Sequence, residues 1–574
     1  MIVSNRPAER PGGVLEAEAD IHAPIPLTAV VHERVVARAG AGGEAGWAGR
    51  LLGGYLATIM AGEEGSSMAD ELSPLDYLLH RGESHPATRS AFLNLEILDR
   101  PADWGRLREA LDRASRVVIR MRQKVVVPPV PVTPPRWVVD PDFDLDYHLR
   151  RVALPAPGSL RQLLDLAEIT LQSPLDTSRA LWEAVYVEGL EDGRAALLTK
   201  LSHAITDGLG GIALFEQVYD TERDPAPRPM PPVPVPRDLT GNDLVRASLR
   251  RLPETTLGAW RRWLGRAAGS AVRLVTQPGP TVTEALGFAD SARRMLGPPP
   301  ATPSQLLRRR SLVTRTFVLE LPLADLRAAA KAVTVSGGPG GSGGMDSPQE
   351  QGGSGGDRSP RASTASVNDA YLAAVCGGLG RYHEVLGVPV DALPLALPVS
   401  LRGADDPASG NRFTGVTIAA PVGEADPAER MKQVREQVIA RRGEPAIDVI
   451  GRLAPVLSLL PDAALFEVID RITPPDIQAS NVPGYAQETF LAGARVDRQY
   501  GLGPLPRVAM MAILISRAGT CTVAFRYDTA SFTAADQLEK CLQAGFDEVV
   551  ELGRKQPARS VARKRPAPKT ARTS

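Results

Sequence analysis

Cysteine is almost missing from this chain: three residues in 574, Cys376, Cys521 and Cys541. They lack metal-ligand spacing and cannot all pair. They read as buried or free thiols in a reducing compartment, not as a disulfide framework or a zinc site. An excess of either charge is missing too. Lys+Arg and Asp+Glu both number 66, so the overall charge points to no polyanionic partner and no nucleic acid is expected. Long apolar runs are absent. The longest, such as 508–515, are strand-sized and far short of a transmembrane helix. The first residues show no basic, apolar, cleavage-site succession, which argues against a secretory signal. No His-Glu-x-x-His is found and the histidines are scattered, so no metal site is expected. No Gly-Lys-Ser/Thr loop is found, and the glycine-rich segment follows no strand, so neither a nucleotide site nor a bound cofactor is expected.

Histidine is scarce, with seven in the chain, and one of them has a distinctive setting. The segment reads Leu201-Ser202-His203-Ala204-Ile205-Thr206-Asp207-Gly208-Leu209-Gly210-Gly211. Residues 182–188 alternate as a strand and 194–201 read as a second. Gly189 and Asp192-Gly193 between them supply hairpin chemistry. After Gly208, the spacing of Ile212, Leu214, Phe215 and Val218 predicts a helix. His203 therefore lies at a strand-to-helix junction, where its side chain can enter a cleft. An imidazole there can take a proton from a hydroxyl and return it to a leaving group near neutral pH. The bland alternatives are a hydrogen-bonded core histidine for His203 and a helix N-cap for Asp207. Gly208 lets the chain turn close to His203.

The length implies more than one domain. Residues 1–67 are an extension rich in Ala, Gly and Glu, poorly ordered or the product of a mis-assigned start, with Met68 an equally good first residue. Residues 68–220 form an N-terminal lobe of mixed helix and strand that carries the histidine segment. Helices are predicted over 107–117 and 160–172, and short extended pieces at 137–139 and 147–149. Residues 221–310 begin with a stiff Pro-rich linker and continue as basic helices that hold Trp260 and Trp263. Residues 311–553 form a C-terminal lobe. Strands are predicted at 312–319, 395–401, 415–420, 508–517 and 520–527, helices at 323–333, 427–442 and 534–552, and a turn at 481–484. The Gly/Ser-rich insertion 336–363 cannot bury enough apolar surface to order itself. Residues 554–574 are a disordered tail rich in Lys and Arg and free of acids.

Several landmarks, in order, resemble the bacterial wax ester synthase/acyl-CoA:diacylglycerol acyltransferase family. They are Ser73-Pro74-Leu75-Asp76, Pro174-Leu175-Asp176 with Leu181-Trp182-Glu183, and His203-x-x-x-Asp207-Gly208. Val367-Asn368-Asp369, Pro398 to Arg402 with Gly410-Asn411, and Asn481-Val482-Pro483-Gly484 follow. The resemblance spans about residues 70 to 552. It implies a mixed α/β (α+β) fold of the CoA-dependent acyltransferase type: two chloramphenicol-acetyltransferase-like lobes with a tunnel between them. It implies acyl-CoA as co-substrate and diacylglycerol or a fatty alcohol as acceptor. His203 would be the general base, supported by Ser202, Asp207 and Gly208. Asn368 and Asp369 are candidates for oxyanion or tunnel support, although an N-cap is the plainer reading of Asn368. Trp182 is expected in the core. The family usually has two adjacent histidines. Here the first is Ser202, and only one of two neighbours on a strand can face the substrate.

The expected activity is esterification to triacylglycerol or wax ester by a cytoplasmic protein, peripheral to the inner face of the plasma membrane or to a lipid-droplet surface. Two other readings stand beside it: a same-fold acyltransferase for another hydroxyl, such as a glycolipid or polyketide, or for carrier-bound substrates; and a non-catalytic lipid-binding paralogue, for which Ser202 and the long insertion speak.

Overall fold

The computed structural model describes residues 71–130, 133–205, 216–248, 290–291, 293–295, 297–335, 363–400 and 413–555. All of these fall within one compact unit, Arg50–Ser574. The N-terminal extension with Met68, most of the basic helical stretch including Trp260 and Trp263, nearly all of the insertion and the tail beyond Lys555 lie outside the described residues.

The first lobe opens with helix α1 (Pro74–Gly82), whose N-cap Ser73 accepts a bond from the Asp76 amide. Strand β1 (Phe92–Leu98), helix α2 (Trp104–Val117), the short pair β2 (Gln123–Val126) and β3 (Arg136–Val139), and helix α3 (Leu145–His148) come next. Then follow β4 (Leu149–Ala153), α4 (Leu160–Gln172), β5 (Trp182–Glu188) and β6 (Ala195–Leu201). Helix α4 starts in a capping box between Ser159 and Gln162, which satisfies amides that the first turn would leave bare. The turn between β5 and β6 uses positive φ at Gly189, Asp192 and Gly193, as the hairpin chemistry predicts. Residues 147–149, extended by their sequence pattern, are instead split. Asp144 caps α3, and the backbone turns to β4 only at Leu149. His148 is buried there, stacked on Trp182 with ring centroids 4.7 Å apart. Trp182 is a core residue, and its Nε1–H donates to the Met121 carbonyl at 2.8 Å.

The second lobe comprises β7 (Thr314–Pro322), α5 (Leu323–Ala332), β8 (Thr334–Val335), β9 (Ser363–Thr364), α6 (Val367–Val385), β10 (Leu393–Ser400) and β11 (Phe413–Ala420). It continues with α7 (Pro427–Arg442), α8 (Val449–Leu457), α9 (Asp462–Arg471), β12 (Ile477–Pro483), β13 (Phe490–Leu491), β14 (Ala494–Leu502), β15 (Met510–Arg517), β16 (Thr520–Asp528) and α10 (Ala535–Lys555). Pro322 is the N-cap of α5, one position before the place its fixed φ suggests. Asn481 to Pro483, a turn by their sequence, belong to β12, which runs parallel to β15 over Ile477–Pro483. Its partner on the other side, β10, pairs only at Ile477 and Gln478. Pro483 thus sits where no ladder bond asks for its missing N–H.

Two six-stranded sheets result, ordered β13-β14-β1-β6-β5-β4 and β11-β10-β12-β15-β16-β7. The first is not built from the first half of the chain alone. Strand β14 crosses back to pair antiparallel with β1, with Leu95 opposite Tyr500. Glycine permits that crossing. A Cβ on Gly501 would lie 3.1 Å from Ile513 of β15, and one on Gly503 2.9 Å from Ile513 and Met511. Helix α6 is buried without a break from Asp369 to Gly380, as befits a helix apolar on all sides. Against it lies α10, so close that a Cβ on Gly545 would stand 2.4 Å from the Ala374 carbonyl oxygen. No helix among the described residues is long and apolar enough to cross a membrane.

A buried ion pair ties the lobes. Glu168 on α4 accepts from Nε of Arg526 on β16 at 3.1 Å and from the hydroxyls of Thr314 and Thr316 on β7. Arg526 also donates to Thr314 Oγ1 at 2.9 Å and to the Gly503 carbonyl at 3.1 Å. Glu168 and Arg526 are 4% and 6% exposed. Glu168→Ala leaves a guanidinium buried without its counter-charge and is expected to cost about 3–5 kcal/mol, read as a lowered denaturant midpoint. An unchanged midpoint would show that the pair does not hold the lobes.

Candidate active site

Strand β6 is buried at every position between β1 and β5, and it delivers the histidine segment to the sheet edge. The chain leaves the ladder after Leu201 and turns at once. The Ser202 amide donates to the Leu181 carbonyl at 3.0 Å, and the Ile205 amide to the Ser202 carbonyl at 3.0 Å. The Ser202 hydroxyl accepts from the Ala204 amide at 3.2 Å. In this turn Ser202 is fully buried, whereas His203 is only half-buried. The neighbours therefore have different surroundings, as the sequence suggests, with His203 on the more open side.

The imidazole is held by its neighbours on β1 and just before it. It packs edge-to-face with the Phe92 ring, with centroids 4.7 Å apart and planes 71° apart. Its Nδ1 makes a short hydrogen bond with the Ser90 carbonyl. A carbonyl only accepts, so in the neutral ring Nδ1 carries the proton and Nε2 carries the lone pair. That tautomer is the one a general base acting through Nε2 requires. Other histidines differ. His80 is buried and pushed down to about 4 by desolvation. His383 is buried, with Nδ1 against the Leu379 carbonyl and Nε2 against the Ser304 hydroxyl. These are packing residues, and scarcity in the sequence does not by itself separate them from His203.

Two residues that the sequence does not single out complete the setting. Glu83, just beyond α1, is 2% exposed. Its Oε1 accepts from the Ser90 hydroxyl at 2.8 Å, the Ser90 amide at 3.3 Å and the Ser202 hydroxyl at 2.9 Å. Burial pushes its carboxyl up, against the opposing effect of those bonds. Ser90 is the residue whose carbonyl holds His203. No local motif marks a carboxylate that lies 119 residues before its serine partner.

A cavity of about 660 Å³ opens between the lobes; His203 is not among its lining residues. Ala91, next to Ser90, lines it together with Leu171 from the end of α4. The second lobe contributes Arg308, Arg310, Arg507 and Arg526, and the first adds Arg89. The lining carboxylates are Asp476 and Asp528. Asp528 is saturated by the Ser311, Leu312 and Ala530 amides, and Arg526 already belongs to Glu168. Arg308 is exposed. The lining thus carries an excess of positive charge suited to an anionic ligand.

The other sequence candidates divide. Asp207 and Gly208 lie outside the described residues, as do Arg402, Gly410 and Asn411. Asn368 and Asp369 open α6 in the second lobe. The N-cap there is Ser366, not Asn368, and Asp369 closes its capping box. The Asp369 carboxylate also takes a bond from Arg435 at 2.9 Å. Asn368 is half-buried in the first turn. The three cysteines are buried and form no disulfide with one another.

The face of β1 that carries Phe92 continues into a buried polar row. Asn94 donates to Glu96 Oε1 at 2.8 Å and accepts from Gln499 of β14 at 3.0 Å. Glu96 is wholly buried, and desolvation pushes its carboxyl up to about 8 despite the Asn94 bond and the Arg517 charge. Between its ordinary value of 4.5 and about 8 the folded state holds a proton that the unfolded state has released. The group's contribution to stability therefore falls as pH rises. Measured by denaturant melts, wild type is expected to lose stability relative to Glu96→Gln as pH is raised through that window. A difference that stays constant with pH would refute the assignment.

Comparison with known proteins places this architecture. The wax ester synthase/diacylglycerol acyltransferase catalytic domain matches residues 66–336, and the C-terminal domain of the same family matches residues 409–549. A Mycobacterium tuberculosis protein assigned by its name to the diacylglycerol O-acyltransferases is 52% identical over 489 residues, covering 85% of this chain and 93% of its own. A Mycobacterium bovis protein of the same naming is 29% identical, covering 67% and 76%. Among solved structures, the wax ester synthase/diacylglycerol acyltransferase of Marinobacter aquaeolei superposes with a TM-score of 0.52 at 17% identity, over 84% of this chain and 99% of that one. The first condensation domain of the calcium-dependent antibiotic synthetase has the same architecture, with a TM-score of 0.50 at 14% identity over 85% of this chain and 96% of that one. The two-lobed fold of the CoA-dependent acyltransferases is thereby shown.

Proposed function

Since the chain belongs to the wax ester synthase/diacylglycerol acyltransferase family, we propose that it transfers a fatty acyl group from acyl-CoA to the hydroxyl of diacylglycerol or of a long-chain alcohol. The products are triacylglycerol or wax ester, and free coenzyme A. The observation that carries the reading is the bond between His203 Nδ1 and the Ser90 carbonyl, which in the neutral ring puts the proton on Nδ1 and the lone pair on Nε2.

The chemistry follows from that tautomer. Nε2 takes the hydroxyl proton as the acceptor oxygen bonds to the thioester carbonyl carbon. The tetrahedral intermediate collapses by breaking its carbon–sulfur bond. The imidazolium returns the proton to the departing thiolate, and the ring is regenerated. Asn368, at the start of α6, is the proposed side-chain donor to the oxyanion. Asp207 and Gly208 are assigned the shaping of the turn behind His203. The cationic lining of the cavity is assigned to the phosphates of the donor, with Arg308 as the exposed member. The acceptors are insoluble in water, so the protein is expected to work at a membrane or lipid-droplet surface.

The test is transfer of radiolabelled acyl-CoA to a panel of diacylglycerol, fatty alcohol and other lipid hydroxyls. His203→Ala is expected to lose at least about a hundredfold in rate, the ordinary scale for a general base. Undiminished turnover in that variant would sink the mechanism. Transfer to none of the acceptors would sink the assignment to this chemistry. Arg308→Ala is expected to raise KM for acyl-CoA several-fold, about 1 kcal/mol for one exposed charged contact, with kcat unchanged. An unaltered KM would remove the phosphates from that end of the cavity.

A further inference from the structure

We propose that Glu83 is a positioning residue of this site: by gathering donors from both segments that flank the catalytic imidazole, its carboxylate sets which nitrogen of His203 carries the proton. The inference rests on the reading of His203 as the base. One oxygen, Oε1, takes three hydrogen bonds, two from Ser90 and one from the Ser202 hydroxyl. Ser90 supplies the carbonyl that receives Nδ1–H, and Ser202 immediately precedes the histidine in the chain. The residue that bonds the imidazole and the residue that precedes it in the chain therefore meet at a single atom.

The arrangement is costly for a residue that merely closes a loop. The second oxygen, Oε2, is buried without a hydrogen-bond partner, which is unfavourable for a charged group. An apolar side chain would avoid this, but it could not hold the Ser90 peptide in one orientation. Nor is the carboxylate there to neutralise a neighbouring cation. The Lys200 ammonium, whose charge acts on it, is bonded to Glu183 at 2.9 Å and to the Thr170 and Ser173 carbonyls. Arg89 reaches the backbone carbonyl of Glu83, not its side chain. The departure of this chain from the paired-histidine pattern falls on the same atom. Ser202 stands where the family usually has histidine, and its short hydroxyl satisfies only Oε1.

The geometry makes the tautomer of His203 depend on Glu83. Without the carboxylate the Ser90 peptide is released, and Nδ1–H loses a fixed acceptor. The imidazole then samples both neutral tautomers, and the base points its lone pair at the acceptor hydroxyl for only part of the time. Misplacement of a reacting group by about 1 Å can cost on the order of a hundredfold, so a partial loss of alignment is expected to cost about tenfold. The Glu83→Gln variant keeps an acceptor oxygen for the same three donors, and so separates position from charge.

Two readouts on the full chain test this. The first needs no turnover: nitrogen-15 NMR of histidine-labelled protein, with the His203 signal assigned from the His203→Ala spectrum. Wild type and Glu83→Gln are expected to show the Nδ1–H form, and Glu83→Ala a mixture of tautomers. The second is steady-state transfer from acyl-CoA. Glu83→Ala is expected to lose about tenfold or more in kcat with KM changed by no more than about twofold, and Glu83→Gln to stay within about threefold of wild type. If Glu83→Ala does not fold, Ser90→Ala removes only one donor to the carboxylate and is expected to lower kcat about threefold. A pure Nδ1–H signal in Glu83→Ala, or full kcat in Ser90→Ala where Glu83→Ala cannot be made, overturns the proposal. A tautomer shift in a protein that transfers no acyl group would uphold the role of Glu83 and overturn the acyltransferase reading instead.

Discussion

The interlobe cavity is lined from both lobes, so its shape depends on what holds the two sheets together. The buried pair of Glu168 and Arg526 does this where α4 meets β16 and β7. Two threonine hydroxyls on β7 and a carbonyl just past β14 complete the bonding around it. An ion pair in such a place returns little net stability, because removing two charges from water offsets most of their attraction. It does penalise any arrangement that separates the partners. Strand β14 adds a covalent constraint of the same kind, since the second half of the chain supplies an interior strand to the first sheet. The cavity at the junction is bounded by the ends of these same elements, with Leu171 from α4, Thr314 from β7 and Arg526 from β16.

Within that frame the histidine is defined by its acceptor. Several histidines in this chain have a ring nitrogen on a backbone carbonyl. His148 and His383 are fully buried, among aromatic rings and in helix packing respectively. His203 alone among these three is half-buried and next to a segment that lines the interlobe cavity. Proton transfer requires both features. A fixed tautomer without access is a packing device, and access without a fixed tautomer leaves the base misaligned for part of the time. The Ser202-Glu83-Ser90 cluster behind the ring is the proposed source of the first, and the incomplete burial of His203 bears on the second.

Much of the local structure is legible in the residues. The helices over 107–117, 160–172 and 427–442 and the strands on either side of Asp192-Gly193 are set by short-range effects: apolar period, capping side chains and the permissive φ of glycine. Where the structure differs from the local pattern, the causes are tertiary. Residues 147–149 follow the Trp182 carbonyl that holds His148, and Pro483 is drawn into β12 by a parallel partner in β15. Asn368 reads as a cap because Asn is a good one, but the register places Ser366 there.

The sequence by itself determined the family, the two mixed lobes and His203 as the residue to examine. Those properties live in spacings of a few residues, and several such landmarks in order specify a fold. Only the tertiary structure decided which half of the chain completes the first sheet, which nitrogen of His203 holds its proton, and that Glu83 stands behind it. Those facts depend on atoms brought together across 119 residues in one case and about 400 in another. No local pattern records such meetings, because the partners are far apart in the chain and only the fold brings them together.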